Sequence, residues 1–221
     1  MGFLSTLSQI LGVGRKQVNV IVVGLDNSGK TTMLNYLRTP ETRTSQIAPT
    51  VGYSVTNFTT ESFSFTAFDM AGQGKYRNLW ETYYLNAQAV IFVVDSADRL
   101  RVAVARDELW MILDHKDITG RPIPILVLAN KMDAKDAMAA AEISTSLASK
   151  VIPDSFSPHP IQFLTLNHLE IVFAYNRIRG LDLIRGHKWN IHATCALNGA
   201  GVQRAIEWLT KEIRAYLDTL K

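Results

Sequence analysis

The sequence predicts an α/β fold built around a phosphate-binding loop, and three stretches predict it. "VNVIVVG" is a β-branched run of strand composition, the glycine loop Gly24 to Thr31 ("GLDNSGKT") follows, and "TTMLNYLR" then reads as helix. Further on, the apolar run "IPILVLA" has the character of a buried strand and delivers the chain into Asn130 to Asp133, "NKMD". Between them, "FTAFDMAGQG" alternates like a half-buried strand and ends on Asp69. Strands that alternate with helical segments predict a layered α/β domain.

The phosphate loop comes first. It fits G-x-x-x-x-G-K-[ST], and the strand before it and helix after it are the context that pattern needs. Backbone N–H groups of such a loop and of the helix N-terminus point at phosphate, where side chains would block the approach. Gly24, Asp26, Asn27, Ser28, Gly29, Lys30, Thr31 and Thr32 are therefore the candidate phosphate-binding residues. Lys30 is expected to reach the β- and γ-phosphates and Thr31 to offer its hydroxyl to Mg²⁺.

The loop alone does not choose a base. Guanine presents two adjacent donors, N1–H and the exocyclic amine, and one carboxylate accepts both. Asp133 after a strand's C-terminal end suits that pair, with Asn130 and Lys131 bracing the base and loop. Adenine would leave the carboxylate unsatisfied. At Asp69 a carboxylate can hold Mg²⁺ through water, the N–H of Gly72 can sense a γ-phosphate, and Gln73 can orient the attacking water as the candidate catalytic residue. Thr50, in "IAPTVGY", can complete the metal shell with its hydroxyl, so the metal candidates are Thr31 and Thr50. Taken singly, a helix N-cap would be the preferred reading of Asp69 and a β-turn that of Pro49–Thr50; four motifs in this order favour the nucleotide site.

Bulk properties narrow the classes. At 221 residues the chain holds one sizeable core, and 47% apolar with 19% charged residues is a globular balance. A net charge of +3 gives no footprint for nucleic acid. Cys195 is the only cysteine, which excludes an internal disulfide and favours a reducing compartment. No apolar run is long enough to span a bilayer, and the N-terminus lacks the basic region of a secretory signal.

"GLDNSGKTT", "PTVGY", "FDMAGQGKYRNLWETYY", "NKMD" and "ATCA" stand in one order over most of the chain, and in this the sequence resembles the Arf/Arf-like branch of the small GTPases. The stretch from Phe68 to Tyr84 is most similar to a ciliary member that recruits a coat complex, the BBSome, to membranes. Most of the family reads Trp-Asp-x-Gly-Gly-Gln here; this chain has Phe68-Asp69-Met70-Ala71-Gly72-Gln73, keeping Gly72 and Gln73. The resemblance implies a doubly wound α/β fold with a six-stranded, mostly parallel sheet and switch loops around Thr50 and Gly72 that close on the γ-phosphate of GTP and relax in GDP. It also implies that Cys195 and Ala196 bring a backbone N–H to guanine O6. Tyr53, Phe68 and Tyr83 match effector-facing positions, with sheet-edge packing as an equal alternative. The hairpin of about Val55 to Ala67 would slide on GTP binding and expel an N-terminal helix.

Residues 1–16 carry that helix's signature. Phe3, Leu4, Leu7, Ile10 and Leu11 recur at three- and four-residue spacing, with Arg15 and Lys16 placed for lipid headgroups. Gly2 and Thr6 also fit an N-acylation pattern. The implied role is a slow, monomeric GTP switch that meets membrane in its GTP state and recruits a BBSome-like coat. It works with an exchange factor and an activating protein, and is cytoplasmic, peripheral to membrane, at the cilium or basal body. No arginine is placed in cis to speed hydrolysis, and Arg43 has no evident aim. The alternatives are an ATP-dependent kinase, a nucleotide-binding module with impaired hydrolysis, and an Arf-like trafficking GTPase outside the cilium.

The 65 positions from Asn130 to Cys195 are about twice the family's separation. Joining Ser149 to Leu181 gives "SLASLDLIRGHKWNIHATCA", which restores the pattern. The domain is therefore read as 17–149 plus 181–221, interrupted at 150–180 by a segment with three of the chain's seven prolines. That segment is read as a retained intron translated in frame or a lineage-specific loop; without cysteines it is too short for an independent core.

Overall fold

The computed structural model describes residues 15–148, 184 and 186–220. The expected N-terminal helix and the interruption at 150–180 lie outside the described residues. Among these residues six strands form one sheet: β1 (Lys16–Val23), β2 (Tyr53–Thr59), β3 (Phe63–Met70), β4 (Ala89–Asp95), β5 (Ile125–Asn130) and β6 (Trp189–Ala193). Their order is β2-β3-β1-β4-β5-β6. Only β2–β3 is antiparallel, as the expected mostly parallel sheet requires. The first strand starts at Lys16, one residue earlier than the expected domain boundary.

Among the described residues, five helices cover the faces: α1 (Lys30–Leu37), α2 (Glu81–Tyr84), α3 (Val102–Asp114), α4 (Ala140–Ala148) and α5 (Val202–Asp218). A parallel sheet covered on both faces needs strands that are apolar throughout. Accordingly, every residue of β5 is buried, as is β4 up to Val94. β3, between the antiparallel edge strand and β1, instead alternates buried with half-buried positions. α5 buries Val202, Ala205, Ile206, Leu209, Ile213 and Tyr216 at helical spacing, leaving its other face polar. Leu209 is completely buried, so Leu209→Ala would cost about 2–5 kcal/mol by leaving a cavity. None of the described helices is long and apolar enough to cross a membrane.

Register explains why the motifs meet. Val22 stands opposite Asp69, Asp95 opposite Asn130, and Ala129 opposite Ala193. The C-terminal ends of five parallel strands thus share one edge of the sheet, where open α/β sheets bind ligands.

Candidate nucleotide-binding site

The loop after β1 is shaped by three positive-φ residues, the first being Gly24 at 135°. Asn27 sits at φ 61°, which asparagine tolerates, and Gly29 at φ 94°, directly before α1. A Cβ on Gly29 would also lie 2.2 Å from the Asn130 amide nitrogen, so the position needs glycine for space as well as for φ. Lys30 is buried and its Nζ donates to the carbonyls of Gly24 at 3.0 Å and Leu25 at 2.8 Å. Burial lowers its pKa to about 8, against the opposing pull of the Asp69 and Asp26 carboxylates.

Thr31, Thr50 and Asp69 converge from α1, the loop before β2, and β3. The Thr31 hydroxyl donates to Asp69 Oδ2 at 2.7 Å, the Thr50 hydroxyl donates to the same oxygen at 3.2 Å, and the two hydroxyls are 3.0 Å apart. Burial raises the Asp69 pKa, while the Thr31 hydrogen bond and the Lys30 charge oppose it. Its other oxygen, Oδ1, is buried without a partner. Two hydroxyls and a carboxylate with an unpaired oxygen are hard oxygen donors, the set Mg²⁺ takes. The residues present therefore fit that ion.

The segment after β3 closes over the loop. Ala71 N–H donates to Gly52 O at 2.9 Å, tying the two switch segments together, and the Trp80 indole donates to Ala71 O at 3.1 Å. Gly72 packs so tightly that a Cβ there would fall 2.2 Å from Asp26 N and 2.6 Å from Gly24 O. Arg77 donates to Gly72 O at 3.1 Å and pairs with Glu108 of α3. Gln73 follows, exposed at the mouth of a cleft of about 280 Å³ that Asp26, Lys30, Thr31, Thr32, Thr50 and Gly72 also line.

The base end is built from β5 and the loop after β6. Asn130 is buried, and its amide donates to Ser28 O at 2.8 Å. Its Oδ1 accepts from the Ala196 N–H at 2.9 Å and the Thr194 hydroxyl at 3.3 Å. The phosphate loop and the loop after β6 are thus pinned to one side chain. Lys131, at φ 64°, makes a 2.7 Å ion pair with Asp95 at the end of β4. Asp133 is exposed, and a hydrogen bond with the Cys195 side chain holds its pKa below the usual carboxylate range. Asp133 and Cys195 therefore meet although they are 62 positions apart in sequence.

The phosphate-loop residues, Thr50, Asp69, Gly72, Gln73, Asn130, Lys131, Asp133, Cys195 and Ala196 lie along this one edge. Asn130 and Lys131 grip protein atoms: Ser28 O and Ala196 N–H for the first, Asp95 for the second. The N–H of Cys195 donates to Ala200 O and that of Ala196 to Asn130, so neither stands free in this conformation. Arg43, aimless in sequence, stacks 4.7 Å over the Tyr36 ring and donates to Tyr36 O at 2.7 Å and Arg38 O at 3.2 Å. Sequence reasoning missed Asp95, Asp98 and Arg101, which bear on Lys131 and Asp26. The signal was available, because "DSADRLR" directly follows a buried parallel strand.

Comparison with known proteins agrees with this geometry. The model of the ADP-ribosylation factor family matches residues 3–213. Proteins named ADP-ribosylation factor-like protein 6 are similar over nearly their whole length. That of Caenorhabditis briggsae is 50% identical over 221 residues, covering 100% of both chains. The Danio rerio protein is 42% identical over 215 residues, covering 97% of this chain and 98% of the relative. The solved Arl6 BBS3 small GTPase of Trypanosoma brucei, with bound nucleotide analogue GppNp, superposes with a TM-score of 0.69 at 36% identity, covering 91% of this chain and 99% of that one. These relatives are the family member that Phe68 to Tyr84 resembles. The chain belongs to the ADP-ribosylation factor family and is an Arf-like small GTPase, a guanine-nucleotide switch that hydrolyses GTP.

Proposed function

We propose that the chain is a slow, Mg²⁺-dependent GTP switch that engages membrane and a BBSome-like coat in its GTP state. One observation carries the reading: Thr50 and Gly72, from separate segments, both close onto the phosphate loop while linked through Ala71 and Gly52. Contacts made only with a γ-phosphate in place would bias such a pair of segments between closed and open.

In this reading Lys30 and the N–H groups from Gly24 to Thr32 hold the phosphates, and Thr31 and Thr50 ligate Mg²⁺ with Asp69 acting through water. When bound, the ion neutralises charge developing on the phosphate oxygens. Gln73, exposed at the cleft mouth, orients the attacking water. Asp133 accepts the two guanine donors, the loop of Cys195 and Ala196 covers the base, and Asn130 and Lys131 hold these loops in register. Arg43, Arg77 and Arg101 are each engaged with protein groups, so an activating partner would have to supply the charge that speeds hydrolysis.

Tyr53, Phe68 and Tyr83 support an effector surface. Tyr83 lies 5.1 Å from the Tyr53 ring and 4.7 Å from Phe68, and Tyr53 and Val55 remain about half exposed beside them on the sheet's edge strand. The apolar spacing of Phe3, Leu4, Leu7, Ile10 and Leu11 supports a membrane contact, and the likeness of Phe68 to Tyr84 to the ciliary member supports the coat. Single-turnover assays should give unassisted GTP hydrolysis on the order of 10⁻⁴ per second, with ATP a poor competitor. Turnover near one per second without a partner, or equal competition by ATP, would sink the proposal.

A further inference from the structure

A loop that wraps phosphates gains nothing from a carboxylate at its centre, yet Asp26 lines the same cleft as Lys30, Thr50 and Gly72. Left free, that charge would oppose a polyphosphate, and a triphosphate more than a diphosphate. The structure shows what holds it. Arg101, the residue before α3, pairs through Nη1 with Asp26 Oδ1 at 3.1 Å, and its Nη2 donates to Asp26 O at 3.4 Å. The same guanidinium is fixed from behind, because Nε donates to Asp98 Oδ2 at 2.5 Å. Asp98 Oδ1 accepts the Arg101 backbone N–H at 3.1 Å. A planar fork locked on one carboxylate is well suited to hold a second in a set direction.

We propose that Arg101 is a positioning residue for nucleotide selection: it draws the Asp26 carboxylate toward the start of α3 and so sets the affinity for triphosphate relative to diphosphate. The inference rests on the phosphates lying at the Gly24 to Thr31 loop. Arg101 touches no reacting atom and acts only through Asp26. Asp98 is a support in the same sense, since it fixes the guanidinium without lining the main cleft.

The test measures Kd for GDP and for GppNp at fixed Mg²⁺ and salt, in the full chain and three variants. Arg101→Ala should weaken GppNp about fivefold relative to GDP, the scale of a half-exposed pair. Arg101→Lys keeps the charge but not the fork, and should lose most of the same preference. Asp26→Asn combined with Arg101→Ala removes both charges of the pair and should restore the wild-type ratio. Equal weakening of both nucleotides by Arg101→Ala would make the arginine a loop support and overturn the proposal. So would a wild-type ratio in Arg101→Lys, or a double variant as impaired as Arg101→Ala. If Arg101→Ala does not fold, the lysine and double variants decide alone. A wild-type chain that bound neither nucleotide would remove the underlying reading of the loop; normal wild-type binding with unchanged ratios would remove this inference only.

Discussion

Gly72→Ala isolates the closed state of the switch from nucleotide binding itself. Gly72 has no left-handed φ, so alanine adds no backbone strain; what it adds is one methyl group where there is no room. That carbon would stand 2.2 Å from Asp26 N, 2.3 Å from Leu25 C and 2.6 Å from Gly24 O. All three are backbone atoms of the phosphate loop and cannot rotate aside. Overpacking of this kind costs about 3 kcal/mol or more, which shifts a closed-to-open equilibrium roughly 150-fold. Trp80 is a built-in reporter, because its buried indole donates to the carbonyl of Ala71, next to Gly72. GDP affinity should stay within about twofold of wild type, since the open state keeps the loop. Exchange of GDP for GppNp should change tryptophan fluorescence in the wild type and not in the variant, and single-turnover hydrolysis should fall about 100-fold. A variant with wild-type hydrolysis and a wild-type fluorescence change would refute the claim that Gly72 must touch the loop.

Asn130→Ala removes a buried side chain that pins the phosphate loop to the loop after β6. It should cost about 2 kcal/mol, lower Tm by roughly 4–8 °C and speed release of GDP; an unchanged Tm would show that the loops hold without it. Deleting residues 150–180 should leave folding and GDP binding intact, because loop length adds closure entropy only slowly, about 0.6 kcal/mol per doubling; loss of GDP binding would assign that segment a structural role. Burial lowers the pKa of His187 and of His192 from the ordinary 6.5. The unfolded chain therefore binds more protons below pH 6.5, and stability is full above that value and falls as pH drops through it. His187→Gln should flatten this acid-side loss in urea titrations at stepped pH, and an unchanged slope would count against burial as its cause.

The parts of the site made by contiguous residues were legible in the sequence. The Gly24 to Thr31 loop announces itself because strand, glycine turn and helix start must be adjacent to cradle phosphate. Asn130 was recognisable from the buried strand before it, though its work turned out to be protein-directed, on Ser28 O and Ala196 N–H. The sheet was legible for the same reason, as β4 and β5 are apolar along almost their whole length. Less legible were pairings set by register and side-chain reach. Nothing local in "DSADRLR" says that Arg101 meets Asp26 across 75 positions of sequence, or that Asp95 meets Lys131. Arg43 shows the same limit in reverse. Its charge drew attention in sequence, and only the fold shows it stacked on Tyr36 and turned to main-chain carbonyls.

The central claim is that the state of this one site decides what the rest of the molecule binds. Its most direct test loads the full chain with GDP or with GppNp and measures co-sedimentation with anionic liposomes carrying purified BBSome-type coat complex. The GppNp-loaded protein should be retained and the GDP-loaded protein largely not, with Gly72→Ala behaving as GDP-loaded whichever nucleotide it holds. Equal retention in both nucleotide states would contradict it.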